Sequence, residues 1–414
     1  MPDDQRKPTP EEEMRRQMRD MLRNADVKFM FGPAAGPRPT TPRDSNPADA
    51  NARKADEVLR HIREFSLKPR EVRDYLDRFV VSQDEAKKAL SIALCDHYNH
   101  VRQCLADREI RGRDYAKRNI VLLGPTGVGK TYLVRCLARL IGVPFVKADA
   151  TKFSETGYVG YDVEDIVRDL VRTADNNTEL AQYGIIYIDE IDKIASKAAQ
   201  GVRDVSGRGV QTNLLKLMEE TDVNLVGQTD ILGQMQAVLA MQAGGQPPPR
   251  TISTKHMLFI VSGAFDGLTD QIKRRLGRHQ IGFGQSVQTA EPDSSEYLKL
   301  AETNDFIQFG FEPEFIGRLP IRVALSLLSA ADLEQILLHS EGNILDQYRT
   351  EFDGYGIHLE ADRDAITEVA ARAATEKTGA RGLLTVFERV FRDFKFELPS
   401  AGIREFRLTL PVLR

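Results

Sequence analysis

The stretch Gly124-Pro125-Thr126-Gly127-Val128-Gly129-Lys130-Thr131 fits the pattern G-x-x-x-x-G-K-[ST], a phosphate-binding loop. Its flanks have the order this loop requires. Asn119 to Leu123 reads as a buried strand running into the loop, and Leu133, Leu137, Ala138 and Ile141 recur at helical spacing behind it. Between strand and helix, glycines let backbone N–H groups converge on phosphate oxygens, and the helix adds the positive end of its dipole. Gly124, Gly127 and Gly129 supply the turn, with Pro125, Thr126 and Val128 completing the cradle. Lys130 brings a full positive charge to the β- and γ-phosphates, and Thr131 offers a hydroxyl to Mg²⁺. Farther along, Ile185-Ile186-Tyr187-Ile188-Asp189-Glu190 is a second apolar strand, ending in two carboxylates. Asp189 is the expected holder of the same Mg²⁺ through its water shell, and Glu190 the group that polarises an attacking water. The two motifs together predict binding and hydrolysis of ATP or GTP.

Composition narrows the class. The chain has 414 residues, enough for two or three domains. Its 57 basic and 61 acidic residues give a formal net charge of −4, which leaves no electrostatic footprint for nucleic acid. Cys95, Cys104 and Cys136 have no metal-ligand spacing and read as reduced thiols of a cytosolic protein. No apolar run approaches the roughly 18 residues of a membrane-spanning helix, and the first residues carry no secretory apolar core. The expectation is a cytoplasmic protein with neither nucleic acid nor membrane as partner.

From Leu67 to about Leu327, strand and helix signals alternate. Ile120–Leu123, Phe145–Ala148, Ile185–Asp189 and Met257–Ser262 are apolar runs of strand length. This is an α/β pattern, a mainly parallel sheet covered on both faces, with ligand at the carboxyl ends of the strands. Residues 67–327 are therefore expected to form a P-loop NTPase large domain. The pattern then becomes helical, with starts at Ser329 and Asp362, and closes on a strand at Phe406–Leu410. Residues 328–414 are expected to form a small, mostly α-helical domain. Residues 1–66 read as an appendage. Within it, Glu11 to Arg23 is a charged helix with Met14, Met18, Met21 and Leu22 on one stripe, suited either to a partner or to a neighbouring surface. Pro33, Pro37, Pro39, Pro42 and Pro47 then mark a linker, and helical pattern resumes near Ala55. Gln234–Pro249 and Ser286–Tyr297 read as long loops.

Five motifs follow one another in a telling order. They are the P-loop, Gly157-Tyr158-Val159-Gly160, Ile188 to Asp192, Glu314-Phe315-Ile316-Gly317-Arg318-Leu319-Pro320, and Thr378-Gly379-Ala380-Arg381-Gly382-Leu383. Together they resemble the AAA+ unfoldases of the ClpX family, ATPase partners of the ClpP peptidase. The resemblance runs from Leu67 to the C-terminus, about five-sixths of the chain. It implies an AAA+ ATP hydrolase that is not itself a peptidase. It further implies a homohexameric ring with ATP and Mg²⁺ between subunits, threading unfolded or tagged proteins into a ClpP-type peptidase. In that reading Arg318 is an arginine finger for a neighbour's nucleotide. Arg381 is the sensor-2 arginine and Ser262 the sensor-1 group. Val80 and Val81 line the adenine pocket. Gly157, Tyr158, Val159 and Gly160 form the pore loop, whose aromatic and aliphatic tips grip a passing chain. Ile281, Gly282 and Phe283 form the peptidase-docking loop.

The chain also departs from the family. Residues 1–66 contain no cysteine, so the family's four-cysteine zinc module is not in this sequence. Asn224 to Lys255 holds only Arg250 and Lys255 as cations, where the family has a basic Arg-Lys-His triplet in its second pore loop. Val80-Val81-Ser82-Gln83 has a serine in place of a glycine, and Tyr161 replaces an acidic residue, an added aromatic expected either to enlarge the grip or to alter its geometry. Ala150 to Gly157 and Gly317 to Arg322 resemble the related unfoldase HslU equally well. Only 28 residues separate Gly160 from Asp189, however, too few for the domain that HslU carries there. A free-standing remodelling chaperone remains the alternative to an unfoldase that feeds a peptidase.

Overall fold

The computed structural model describes residues 47–113, 115–153, 161–195, 205–225, 251–278 and 294–413. The helix expected at Glu11–Arg23, the proline linker up to Pro42, the loop Gln234–Pro249, the pore loop Gly157–Gly160 and the docking residues Ile281–Phe283 lie outside the described residues.

Helix α1 (Pro47–Arg63) carries Ala55, Leu59 and Ile62 on one stripe, and these bury, with Phe65, in the same core as the P-loop helix. The sequence reading assigns residues up to 66 to an appendage. In the structure these four side chains belong to the large-domain core, because an apolar stripe at helical spacing must find a second face. Helix α2 (Pro69–Asp77) starts on a proline, and the Glu71 carboxylate accepts the Lys68 N–H at 2.8 Å. Helix α3 (Asp84–Ala106) buries Leu90, Leu94, Tyr98 and Val101.

The chain then lays down strand β1 (Ile120–Leu123), helix α4 (Lys130–Ile141), strand β2 (Phe145–Asp149), helix α5 (Asp165–Thr173), strand β3 (Ile185–Asp189) and helix α6 (Val205–Met218). A short antiparallel hairpin of β4 (Asp222–Asn224) and β5 (Thr251–Ser253) follows. Strand β6 (Leu258–Gly263), helix α7 (Leu268–Arg278), helix α8 (Pro313–Gly317) and strand β7 (Ile321–Ala324) complete the large domain. The five-stranded sheet has the order β2-β3-β6-β1-β7, with every pairing parallel. Alternate residues serve opposite faces. Val121, Leu123, Ile186, Ile188 and Val261 pack into one cluster; Ile120, Leu122, Ile185, Tyr187 and Ile260 pack into the other. Each such aliphatic side chain contributes roughly 1.5–3 kcal/mol by leaving water. The registers Leu123↔Gly263 and Asp149↔Asp189 bring the carboxyl ends of β1, β6, β3 and β2 to one edge of the sheet, where the motif residues collect.

Beyond the sheet come α9 (Ala330–His339), α10 (Ile344–Asp353), β8 (His358–Ala361), α11 (Arg363–Thr375), α12 (Arg381–Glu397) and β9 (Glu405–Leu408). They enclose a separate core that includes Leu333, Tyr348, Phe352, Val369, Phe387 and Phe391. Ser329 and Asp362, the expected starts, are the N-cap residues of α9 and α11. Ser329 Oγ accepts the Asp332 N–H at 3.1 Å, and the Asp332 carboxylate accepts the Ser329 N–H at 2.8 Å. The terminal strand expected at Phe406–Leu410 occupies Glu405–Leu408 and pairs in parallel with β8. Part of the stretch read as a loop, Ser294–Leu298, is a short helix.

Candidate nucleotide site

The P-loop leaves β1 and turns through Gly124, Gly127 and Gly129, all at positive φ, with Gly129 at the N-cap of α4. Gly127 admits no side chain: a Cβ there would lie 1.9 Å from Thr378 O, across the boundary with the small domain. Gly379 meets the same limit from the other side, its Cβ falling 2.6 Å from Gly127 O. Between them, Ala380 N–H donates to Gly127 O at 3.0 Å. The Lys130 ammonium folds onto the loop, donating to Gly124 O at 2.5 Å and Pro125 O at 2.8 Å. Burial lowers the pKa of Lys130, and the nearby Asp189 and Asp192 charges oppose that shift.

At the end of β3, Asp189 is held from several sides. Ser262 Oγ donates to its Oδ1 at 2.6 Å, Thr131 Oγ1 to its Oδ2 at 3.3 Å, and Lys147 Nζ to Oδ2 at 2.7 Å. Burial pushes the carboxyl pKa up, but the Lys147 and Ser262 hydrogen bonds and the Lys147 charge outweigh it and hold it below the usual range. The Tyr187 hydroxyl, 2.6 Å from Ser262 Oγ and 3.1 Å from Thr131 Oγ1, ties this set together. Burial, then the Asp189 charge, raises the Tyr187 pKa, so the phenol keeps its proton. Glu190 is exposed and sits at φ +56, a left-handed conformation that costs energy for a residue with a side chain. That turn carries the chain away from the strand direction straight after Asp189, and Asp189 Oδ1 accepts the Glu190 N–H at 3.1 Å.

Gly127, Lys130, Thr131, Asp189 and Glu190 line a cleft of about 610 Å³ that also includes Asp192, Asp266 and Arg381. Arg381 opens α12 from the small domain, near enough to Lys130 to lower its pKa further. Sharing Gly129, Tyr132, Ile344 and Ala380 with this cleft is an apolar recess of about 180 Å³, lined by Phe79, Val80, Val81, Val128, Leu328 and Leu383. A polar end beside a P-loop and an apolar end next to it suit a triphosphate and a planar base respectively. A larger cleft, of about 790 Å³, lies between α1 and the start of β2, and no P-loop residue lines it.

The comparisons agree with this geometry. Residues 116–322 match the AAA domain (Cdc48 subfamily) family. The ATP-dependent Clp protease ATP-binding subunit ClpX of Treponema denticola is 40% identical over 339 residues, covering 80% of this chain and 77% of the relative. The ClpX of Borrelia duttonii is 40% identical, covering 80% of this chain and 75% of its own, and that of Bacteroides thetaiotaomicron 38%, covering 83% and 80%. The chain belongs to the ClpX family of AAA+ ATPases. It is an ATPase with an AAA+ α/β fold, and not itself a peptidase.

As a ClpX-family member the chain places its expected residues unevenly. Thr126, Lys130, Thr131, Asp189, Glu190 and Arg381 meet in one cleft; Val80 and Val81 meet in the apolar recess. Ser262 is fully buried behind Asp189 and lines neither, so it acts on the carboxylate and not on the cleft. Arg318 also lies away from its own chain's cleft. It caps the C-terminal end of α8, pairs with Glu219 at 2.6 Å, and its carbonyl accepts the Asn119 side-chain amide at 3.1 Å. Lys147 and Tyr187 escaped the sequence reading, because only the pairing of β2 with β3 and β3 with β6 brings them to Thr131 and Asp189. Tyr161 does not extend outward as an extra grip. Its ring packs on the core beside Phe153, its hydroxyl donates to Asp169, and its N–H donates to Lys152 O at 3.1 Å.

The oxygen donors fit a nucleotide-bound Mg²⁺. Thr131 Oγ1 and Asp189 Oδ2 are hard ligands 3.3 Å apart, and such an ion takes one or two protein oxygens and completes its shell with water and phosphate. Among the described residues there is no cluster of three or more His, Cys, Asp or Glu able to cage a metal. Also among the described residues, no helix is long and apolar enough to cross a membrane.

Proposed function

We propose that this chain is an ATP-driven protein unfoldase and translocase that assembles as a homohexamer and delivers unfolded or tagged proteins to a ClpP-type peptidase. The observation that carries this reading is the position of the cleft. One wall is the P-loop and Asp189-Glu190; the other is small-domain Arg381, Ile344 and Ala380, joined to the P-loop through the Ala380–Gly127 backbone bond. A nucleotide seated there touches both domains, so the change from ATP to ADP alters the angle between them and yields a mechanical stroke.

Lys130 and the loop amides bind the phosphates. Thr131 and Asp189 hold Mg²⁺, which would supply charge neutralisation at the transferring phosphoryl group. Glu190 orients and polarises the attacking water. Ser262 and Tyr187 keep Asp189 and Thr131 in place. Arg318, exposed and outside its own cleft, reaches a neighbour's nucleotide in the ring. The pore loop Gly157–Gly160 grips substrate and Ile281–Phe283 docks the peptidase; both assignments rest on the family motifs. The names of the relatives support partnership with a Clp protease.

The test is degradation of a stable tagged fluorescent protein by this chain with the Clp peptidase of its own organism. ATP-dependent loss of fluorescence together with peptide release supports the reading. Loss of fluorescence without peptides leaves a remodelling chaperone, and no ATP-dependent unfolding overturns it. Arg318→Ala is expected to bind nucleotide normally yet lower kcat for ATP by about 10³-fold or more. In mixed rings, turnover restored to Arg318→Ala subunits by Glu190→Gln neighbours, which keep Arg318, would locate the arginine in trans.

A further inference from the structure

Lys147 stands on β2, an edge strand of the sheet, and reaches the oxygens of two other elements. Its Nζ lies 2.7 Å from Asp189 Oδ2 on β3 and 3.5 Å from Thr131 Oγ1 on α4. These are the two protein oxygens assigned above to a divalent ion. The tether is long and the side chain 38% exposed, so the ammonium can leave for water without disturbing the core. Asp189 is not free to follow, because Ser262 Oγ and the Glu190 N–H both bind its other oxygen.

We propose that Lys147 is a built-in monovalent counter-ion for the Mg²⁺ carboxylate. It neutralises Asp189 while no metal is bound, lends positive charge to a nucleotide that arrives without metal, and releases Asp189 when the divalent ion is bound. This inference rests on the assignment of Thr131 and Asp189 to Mg²⁺. A bare carboxylate beside the phosphate cradle repels an incoming polyphosphate, and the ammonium removes that repulsion. The same ammonium competes with the divalent cation for Asp189. Both effects act in one direction: Lys147 narrows the gap between nucleotide affinity with metal and nucleotide affinity without it. Lys130 makes no such bond to Asp189: its ammonium donates to Gly124 O and Pro125 O.

The measurement is the Kd of a fluorescent ADP analogue for the full chain, in excess Mg²⁺ and in EDTA. The ratio of the two constants reports the coupling between metal and nucleotide. In Lys147→Met the ratio is expected to rise about tenfold, through weaker binding in EDTA and equal or tighter binding in Mg²⁺. Lys147→Gln should match it, and Lys147→Arg, which keeps the charge, should stay within about twofold of the parent. A ratio unchanged in both neutral variants overturns the proposal, as does loss of Mg·ADP binding in a variant that melts like the parent. Affinity insensitive to Mg²⁺ in parent and variants alike would instead remove the metal assignment beneath it.

Discussion

Individual residues divide into those whose work is local and those whose work depends on neighbours from other strands. That Lys130, Thr131, Asp189 and Glu190 meet in one cleft could be read from the chain, because each lies within a few residues of a glycine turn or a strand end. The contacts of Ser262, Tyr187 and Lys147 could not be read, although the family resemblance singles out Ser262. Ser262 sits on β6, Tyr187 on β3 and Lys147 on β2, and their meeting at Asp189 depends on a strand order that sequence alone does not carry. Glu190 adds a conformational clue invisible in the sequence, its left-handed backbone at φ +56. Glu190→Gln keeps side-chain size and backbone demand but cannot act as a base. It is expected to bind ATP as the parent does and to hydrolyse it about 10²–10⁴-fold more slowly, read by phosphate release alongside nucleotide affinity.

Among the elements, the segment Arg78–Gln83 bears most on how the domains are joined. It straps the large domain to the small one. Arg78 pairs with Glu341 through two bonds of 2.7 and 2.9 Å, and Ser340 Oγ donates to Phe79 O. Within the large domain, the Gln83 side-chain amide pairs both ways with Ser326, just before the small domain begins, donating to its carbonyl at 2.8 Å and accepting its N–H at 2.9 Å. Ser82, where the family has glycine, sits at φ +57 and donates to Asp332 across the boundary. The serine thus keeps the left-handed turn that a glycine adopts freely and adds a hydrogen bond in return. Ser82→Ala keeps the strain and loses the bond, whereas Ser82→Gly loses the bond and relieves the strain. In urea unfolding, the alanine variant is therefore expected to be less stable than the glycine variant by about 1 kcal/mol. The reverse order would mean that Ser82 is not strained. Lys255, one of two cations available to a basic second pore loop, is engaged elsewhere, with Glu220 at 3.4 Å and Arg111 O at 3.2 Å.

For the whole molecule, the order of elements was legible and the reach of the core was not. Apolar runs and caps announced β1, β2, β3, β6 and the starts of α9 and α11. The membership of α1 in the large-domain core depended on a partner face that only the folded chain supplies. The same packing buries a basic cluster whose effect is global. His97, buried with Nε2 3.1 Å from His256 O, has its pKa lowered to about 3 by burial first, then by Lys117, His256 and His100. His256 is lowered to about 4 by burial, then by His100, Lys255, Arg111 and Lys117. In the unfolded chain both take a proton near pH 6.5. Between pH 6.5 and about 4 the unfolded state therefore binds more protons than the folded one. The contribution of these two imidazoles is fully present above that window and falls as pH drops through it. The slope approaches about 1.4 kcal/mol per pH for each imidazole that is charged only in the unfolded chain. The lowered carboxyls of Asp189 and Asp332 add their own loss only below it. Urea midpoints are expected to decline steadily from pH 6.5 to 4, and less steeply in His256→Gln; a flat profile over that range would contradict the buried, neutral state of both imidazoles.

The seam at Gly127 and Gly379 reaches further than its size suggests. Main chain rests on main chain there, with no side chain to flex between the two bodies. A hinge of that kind has no slack: the tilt of one lobe and the shape of the anion cradle become two gauges of a single coordinate. A lone methyl group at either glycine would act as a wedge, leaving every charged group of the site intact while prising the two main chains apart.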